Sequence, residues 1–163
     1  LLDMRHTLLI LVLASTPAVA NEVRDWRSVA GWDIKERIGS ARACFASRVT
    51  SDGTEVQIGV APTLDGGYLA VYNPAWTHIV EGETGRVEFD FGVARFGGEA
   101  VARYEDGVPG GYAYFNNPAF VEEFSRRYDV RITGSRGTIF EMDLTGTRKA
   151  VAEVLACQSG TTP

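Results

Sequence analysis

Arg86-Val87-Glu88-Phe89-Asp90-Phe91 alternates charged and apolar side chains without a break. In an extended chain successive side chains point to opposite faces, so Val87, Phe89 and Phe91 share one face and Arg86, Glu88 and Asp90 the other. A helix would scatter both sets around its axis, whereas a half-buried strand sorts them. The same period of two recurs in Thr54–Val60, where Val56, Ile58 and Val60 oppose Glu55, Gln57 and Gly59. It returns in Asp129–Thr133 with Val130 and Ile132, and in Thr138–Leu144 with Phe140, Met142 and Leu144. Ala30–Ile38, Ala41–Val49, Gly67–Tyr72, Glu99–Tyr104 and Gly111–Phe115 read as further strands. Between them stand turn sequences: Ser51-Asp52-Gly53, Asp65-Gly66-Gly67, Gly97-Gly98, Glu105-Asp106-Gly107 and Gly134-Ser135-Arg136-Gly137. Connections this short predict antiparallel pairing.

Two segments change period. Asn117-Pro118 is a helix N-cap followed by Pro at the first helical position, and Phe120, Val121, Phe124 and Tyr128 make one apolar stripe. Glu122 with Arg126 and Glu123 with Arg127 form i,i+4 pairs on the opposite face. A second helix starts near Thr147 and carries Ala150, Val151, Val154, Leu155 and Cys157 on its buried side. The expected fold is therefore α+β: a mostly antiparallel sheet of about seven to nine strands with two helices packed on it, one of them C-terminal. Residues 66–76 (GGYLAVYNPAW) also line up with residues 110–120 (GGYAYFNNPAF). Each copy is followed by an alternating strand ending in Gly, so the sheet is expected to contain two similar β-rich units around a shared core.

Composition narrows the function classes. The 163 residues are 45% hydrophobic and 23% charged, the balance of a globular domain, with few linker-like stretches and a loose end expected only at Gln158–Pro163. Lys+Arg 16 against Asp+Glu 21 gives −5, which argues against an electrostatic grip on nucleic-acid phosphates. Residues 1–20 read as a signal peptide. Met4-Arg5-His6 is the basic start, Leu8 to Ala14 the apolar run, and Ala18-Val19-Ala20 the small-residue cleavage pattern. The apolar run is too short to span a bilayer, and no Cys follows the cleavage site to carry a lipid. The expected product is one domain, residues 21–163, periplasmic or secreted, with no stable membrane insertion and still at −5 because Asp3 and Arg5 leave together. In an oxidising compartment Cys44 and Cys157 permit one intramolecular pairing, and a structural disulfide is expected between them.

Leu144-Thr145-Gly146-Thr147-Arg148-Lys149-Ala150, followed by Val154 and Cys157, resembles the C-terminal signature of a family of small exported proteins of Gram-negative bacteria. In that family a strand ends in Leu-x-Gly-Ser/Thr and a short Ala-rich helix ends in Cys. Trp26 or Trp32, the strand containing Cys44, and Asn73-Pro74-Ala75-Trp76 are similar to that group as well. The resemblance implies export and the Cys44–Cys157 bridge. The family has no established activity, and it implies no catalytic residues.

Candidate chemistry is sparse. No metal or cofactor is expected, because one mature His, two paired Cys and scattered carboxylates make no ligand cluster, and no G-x-G-x-x-G or Walker loop occurs. A Ser–His–Asp site would have to use His78, and no G-x-S-x-G is present. A carboxylate-dependent hydrolase would draw on Glu81, Glu83, Glu88, Asp90, Glu141 or Asp143, of which alternation explains Glu88, Asp90, Glu141 and Asp143 as solvated strand faces. What remains is aromatic: Tyr68, Tyr72, Tyr112 and Tyr114 fall on one phase of the pleat, and Leu69, Val71, Ala113 and Phe115 on the other. A tyrosine-rich face suits either a protein or glycan contact surface or a face covered by the two helices. Ser135 and Arg136 sit at the tip of a hairpin that suits an inhibitor's protruding loop or a plain turn. The expected function is a non-enzymatic binding protein for an envelope protein or glycan, such as an inhibitor of an envelope hydrolase. A small carboxylate-dependent hydrolase and a structural envelope component are the alternatives.

Overall fold

The computed structural model describes residues 22–39, 41–61, 63, 65–137 and 139–161. The expected leader, and Thr138 at the start of one expected strand, lie outside the described residues. Ten strands and two helices follow in the order β1 (Glu22–Val29), β2 (Trp32–Ile38), β3 (Ala43–Val49), β4 (Glu55–Val60), β5 (Gly67–Tyr72), β6 (Thr84–Asp90), β7 (Arg95–Glu105), β8 (Val108–Phe115), α1 (Pro118–Arg126), β9 (Asp129–Gly134), β10 (Ile139–Asp143) and α2 (Thr147–Ser159). All ten strands form one antiparallel sheet ordered β1-β2-β3-β4-β5-β8-β7-β6-β9-β10. The α+β architecture and the C-terminal helix are as expected. The strand that alternation does not reveal is β1. Six of its eight residues are exposed, and a register shift between Asp25 and Arg27 breaks its period at Trp26. It turns into β2 through Ala30 and Gly31, at φ 50° and 82°, the left-handed pair that a two-residue hairpin needs.

The two similar segments are β5 and β8, and they lie side by side at the centre of the sheet. Leu69 is directly opposite Ala113, the residue equivalent to it in the alignment. A local two-fold axis therefore passes through that pair and relates β4 to β7 and β3 to β6. One row of cross-strand partners displays it: Ala46, Ile58, Leu69, Ala113, Ala100 and Gly85 on β3, β4, β5, β8, β7 and β6. Ala46 is 0% exposed, Ile58 1%, Leu69 3% and Ala113 3%, while Ala100 and Gly85 are only half-buried. The helices explain the gradient. α2 packs on β2, β3 and β4, α1 packs on β4 and β5, and the two pack on each other. Both helices thus lie on the aliphatic side with their backbones over one half of the sheet, and α1 reaches the other half through the rings of Phe120 and Phe124.

α1 is anchored by Phe120, which stacks on Phe115 at 3.9 Å and meets Phe89, Phe96 and Phe124 edge-on at 5.1–5.4 Å between centroids. Tyr128, expected on this stripe, is 87% exposed, because Arg127 is already extended (φ −111°, ψ 166°) and the helix stops before reaching it. Leu155 is likewise 42% exposed; on α2 the buried stripe is Thr147, Ala150, Val151, Val154 and Cys157.

The C-terminal signature fastens α2 at both ends. Gly146 sits at φ 82°, and a Cβ there would come within 2.4 Å of the Ala30 carbonyl, so Gly is required twice over. The Thr147 hydroxyl is buried and is shared between the carbonyls of Leu144 (2.7 Å) and Phe124. Trp32 Nε1 donates to the Thr145 carbonyl at 3.1 Å, and the Arg48 guanidinium lies 4.3 Å over the Trp32 ring. At the other end Cys157 is disulfide-bonded to Cys44, with Cα atoms 6.0 Å apart, and both residues are buried. Gln158 completes the clip by accepting from the Cys44 N–H (2.9 Å) and donating to the Arg42 carbonyl (2.8 Å).

Candidate functional site

Where the helix layer ends, the aliphatic side of the sheet opens into a cleft of about 250 Å³. Its floor is built from β5–β9: Leu69, Val71, Val87, Phe89, Ala100, Ala102, Gly111, Ala113 and Ile132. The depth comes from residue size, since Ala100 and Gly85 stand at the positions that Ile58 and Ala46 take in the covered half.

One wall is the segment 73–83, which brings Trp76, His78, Ile79 and Glu83 to the cleft. It is held at several points. The buried Asn73 side chain donates to Thr54 Oγ1 (2.7 Å) and accepts from the Ala75 N–H (2.7 Å). Gly82 N–H donates to the Ala102 carbonyl (2.9 Å), Ala102 N–H to the Glu83 carbonyl (2.8 Å), and the Tyr104 hydroxyl to the Ile79 carbonyl (2.9 Å). A wall tied down this way needs no ordering when a ligand arrives.

The opposite wall is the β9–β10 turn. Ser135 leans over Gly85, where a Cβ would come within 2.8 Å of its Oγ, and Arg136 pairs with Glu83 at 3.2 Å. The turn folds back as a rim of the cleft and does not protrude as an inhibitor loop would. His78, on the other rim, is exposed.

The tyrosines lie on the other side of the sheet. Neither helix covers them, because both helices are on the aliphatic side. The sheet itself curls toward them. β2 and β7 are five strands apart, about 24 Å in a flat sheet, yet Arg37 and Glu105 form an ion pair at 2.9 Å. Within that curl Arg37 lies 5.2 Å over the Phe45 ring, Tyr72 is 3% exposed, and Tyr68 packs its ring against Gly59, leaving no room for a Cβ. Burial pushes the Tyr72 phenol up to about 12, and Tyr68 higher still. Tyr114, opposite Tyr68, is 46% exposed, and Tyr112 is half-buried. The six residues singled out from the sequence therefore split. Ser135 and Arg136 belong to the cleft, Tyr68 and Tyr72 to the curl, and Tyr112 and Tyr114 to the same tyrosine side of the sheet, outside the cleft.

The carboxylates gather elsewhere. Asp90, Asp129, Glu141 and Asp143 line a second, more polar hollow of about 650 Å³ around Arg131, which donates to Glu141 through Nε (3.0 Å) and Nη2 (2.9 Å). A general acid needs a carboxyl raised toward neutrality. Here the Gly92 N–H holds Asp90 low, and the Thr145 hydroxyl and N–H hold Asp143 low. Among the described residues, no three His, Cys, Asp or Glu side chains lie close enough together to hold a metal ion.

Sequence reasoning missed the cleft because its signal is a deficit: small residues at positions where the first half of the sheet has large ones. No family model matches the chain, and no curated protein is similar to it. Among solved structures, the fold is similar to the crystal structure of invasion associated protein B from Bartonella henselae, with a TM-score of 0.57 and 14% identity, covering 82% of this chain and 97% of that one. At that identity the likeness is one of fold.

Proposed function

We propose that the protein is an exported, non-enzymatic binding protein that takes its partner in the cleft between residues 73–83 and the β9–β10 turn. The observation that carries the reading is the pre-built apolar cleft, open to solvent beside an otherwise closed core. Export is supported by the leader-like residues 4–20 and by the buried Cys44–Cys157 disulfide, which thiol-reducing compartments disfavour. Among the described residues no helix is long and apolar enough to cross a membrane. The similar solved structure is named as invasion associated, which fits a role in contact with other envelope or extracellular components. The partner class is an envelope protein or glycan, envelope hydrolases among them.

Affinity capture from envelope extract with immobilised residues 21–163 tests the reading. Wild-type bait is expected to retain a partner that an Ala100→Glu bait, with a charge placed on the cleft floor, does not. Identical capture by both baits, both folded, overturns it.

A further inference from the structure

We propose that the cleft receives an amphipathic helix presented by another protein, seated where one half of the sheet lacks the helix that covers the other. The proposal rests on the cleft being the binding site and names its occupant.

The two segments that follow β5 and β8 begin identically. After β8, Asn117 accepts from the Ala119 N–H (3.0 Å) and its carbonyl accepts from the Phe120 N–H (3.1 Å); α1 then runs on to Arg126. After β5, Asn73 accepts from the Ala75 N–H (2.7 Å) and its carbonyl accepts from the Trp76 N–H (3.0 Å), the same cap on the same Asn-Pro-Ala-aromatic sequence. Here no helix follows. Thr77, Ile79 and Val80 are β-branched, and Gly82 sits at φ 84°. The chain instead crosses to β7 through the Gly82 and Glu83 bonds to Ala102.

The local two-fold at Leu69 and Ala113 converts this difference into a location. α1 leaves β8 and packs on β5 and β4. Its counterpart would leave β5 and pack on β8 and β7, over Gly111, Ala102 and Ala100, and that is the cleft floor. The cleft thus has the position, direction and small-residue floor of a helix seat. Its volume accommodates the large side chains of one helix face, with the rest of the helix in solvent.

Charge defines the flank. Arg136 and His78 share the rim with one acid, Glu83. A helix with aromatic or aliphatic residues at i, i+1 and i+4 and an acidic flank fits this rim. α1 has that pattern in Phe120, Val121 and Phe124 beside Glu122 and Glu123.

The probe is therefore the α1 sequence, residues 117–127, as a synthetic peptide extended with Ala and Lys to about sixteen residues so that it can hold a helix alone. It is titrated into isotope-labelled, disulfide-intact residues 21–163 and followed by backbone amide shifts, with decanoate as a second probe in parallel. The expected result is saturable shifts at Gly85, Ala100, Ala102 and Gly111. The affinity should be at least about tenfold weaker for a peptide of the same composition with the apolar stripe dispersed, and several-fold weaker for the exposed rim variant Arg136→Glu. Equal binding of the dispersed peptide overturns the helix. Shifts with decanoate but not with the helix also overturn it and leave the cleft as the binding site. No shifts with either probe overturn both.

Discussion

Ile58 and Ala100 are equivalent positions under different cover, so a reciprocal exchange tests whether the uncovered half of the sheet is a real vacancy. Ile58 is 1% exposed beneath the helix layer, and Ile58→Ala removes buried methyl groups with little room for collapse, at a cost of about 2–4 kcal/mol. For a domain of this size that is a fall of roughly 5–15 °C in Tm. Ala100→Ile adds the same atoms where its neighbours are Gly85 and Ala113 and where cleft space already exists. No overpacking arises there, and the β-branched side chain suits a strand. The expected change is within about 1 kcal/mol of zero, on the stabilising side if either. Urea unfolding of disulfide-intact protein followed by far-ultraviolet circular dichroism measures both. A loss of more than about 2 kcal/mol in Ala100→Ile would show a filled site. The vacancy, and the helix seat derived from it, would then be wrong.

Four further outcomes follow from the same structure. Replacing Cys44 and Cys157 together by Ser should lower stability by up to about 4–5 kcal/mol, since the bridge closes a separation of 113 residues; an unchanged urea midpoint would refute a stapling role. Protein recovered from its producing cell should begin at Asn21 and weigh two hydrogens less than the reduced chain, which intact mass spectrometry decides; a mass that retains residues 4–20 refutes cleavage. Tyr114→Ser should cost less than about 1 kcal/mol and Tyr72→Ser about 3–5 kcal/mol, and similar costs in a thermal melt would contradict the curl that hides only the second. Asp143 has a depressed pKa in the fold, so its contribution is complete above the ordinary carboxylate range and is lost as the pH falls below it; wild type should lose stability there more steeply than Asp143→Asn in urea midpoints taken across acid pH.

Much of the fold is legible in the sequence because each element announces itself locally. Val87, Phe89 and Phe91 reveal β6 by alternation, and Asn117-Pro118 reveals the start of α1 by its cap. β1 stays hidden because a strand lying at a sheet edge with most of its residues in water has no pattern to show. The site is less legible for a different reason. Tyr68, Tyr72, Tyr112 and Tyr114 share a phase, and period alone places them on one face. Whether that face is open depends on curvature, which here is recorded by a single pair, Arg37 and Glu105, separated by 68 positions in the chain. Ser135 and Arg136 are recognisable as a turn, but Glu83, the partner of Arg136, lies 53 positions away. The cleft itself follows from comparing Ala100 with Ile58, a comparison that only the register of β4, β5, β8 and β7 makes meaningful.

The placement of α2 has a consequence for how the chain acquires its structure. Strands made early, β2, β3 and β4, receive cover from the helix made last, and the disulfide joins the same two regions. A ribosome or a secretion channel delivers residues 32–60 long before residues 147–159. Throughout that interval Ile34 and Ala46, on β2 and β3, lack the helix that covers them. Local hairpins can form and dissolve, but the cooperative transition waits on contacts of very high sequence separation, a topology that folds slowly. A nascent chain of this design remains pliable until residues 147–159 are released, and the oxidation of Cys44 with Cys157 then makes the docking of α2 hard to reverse.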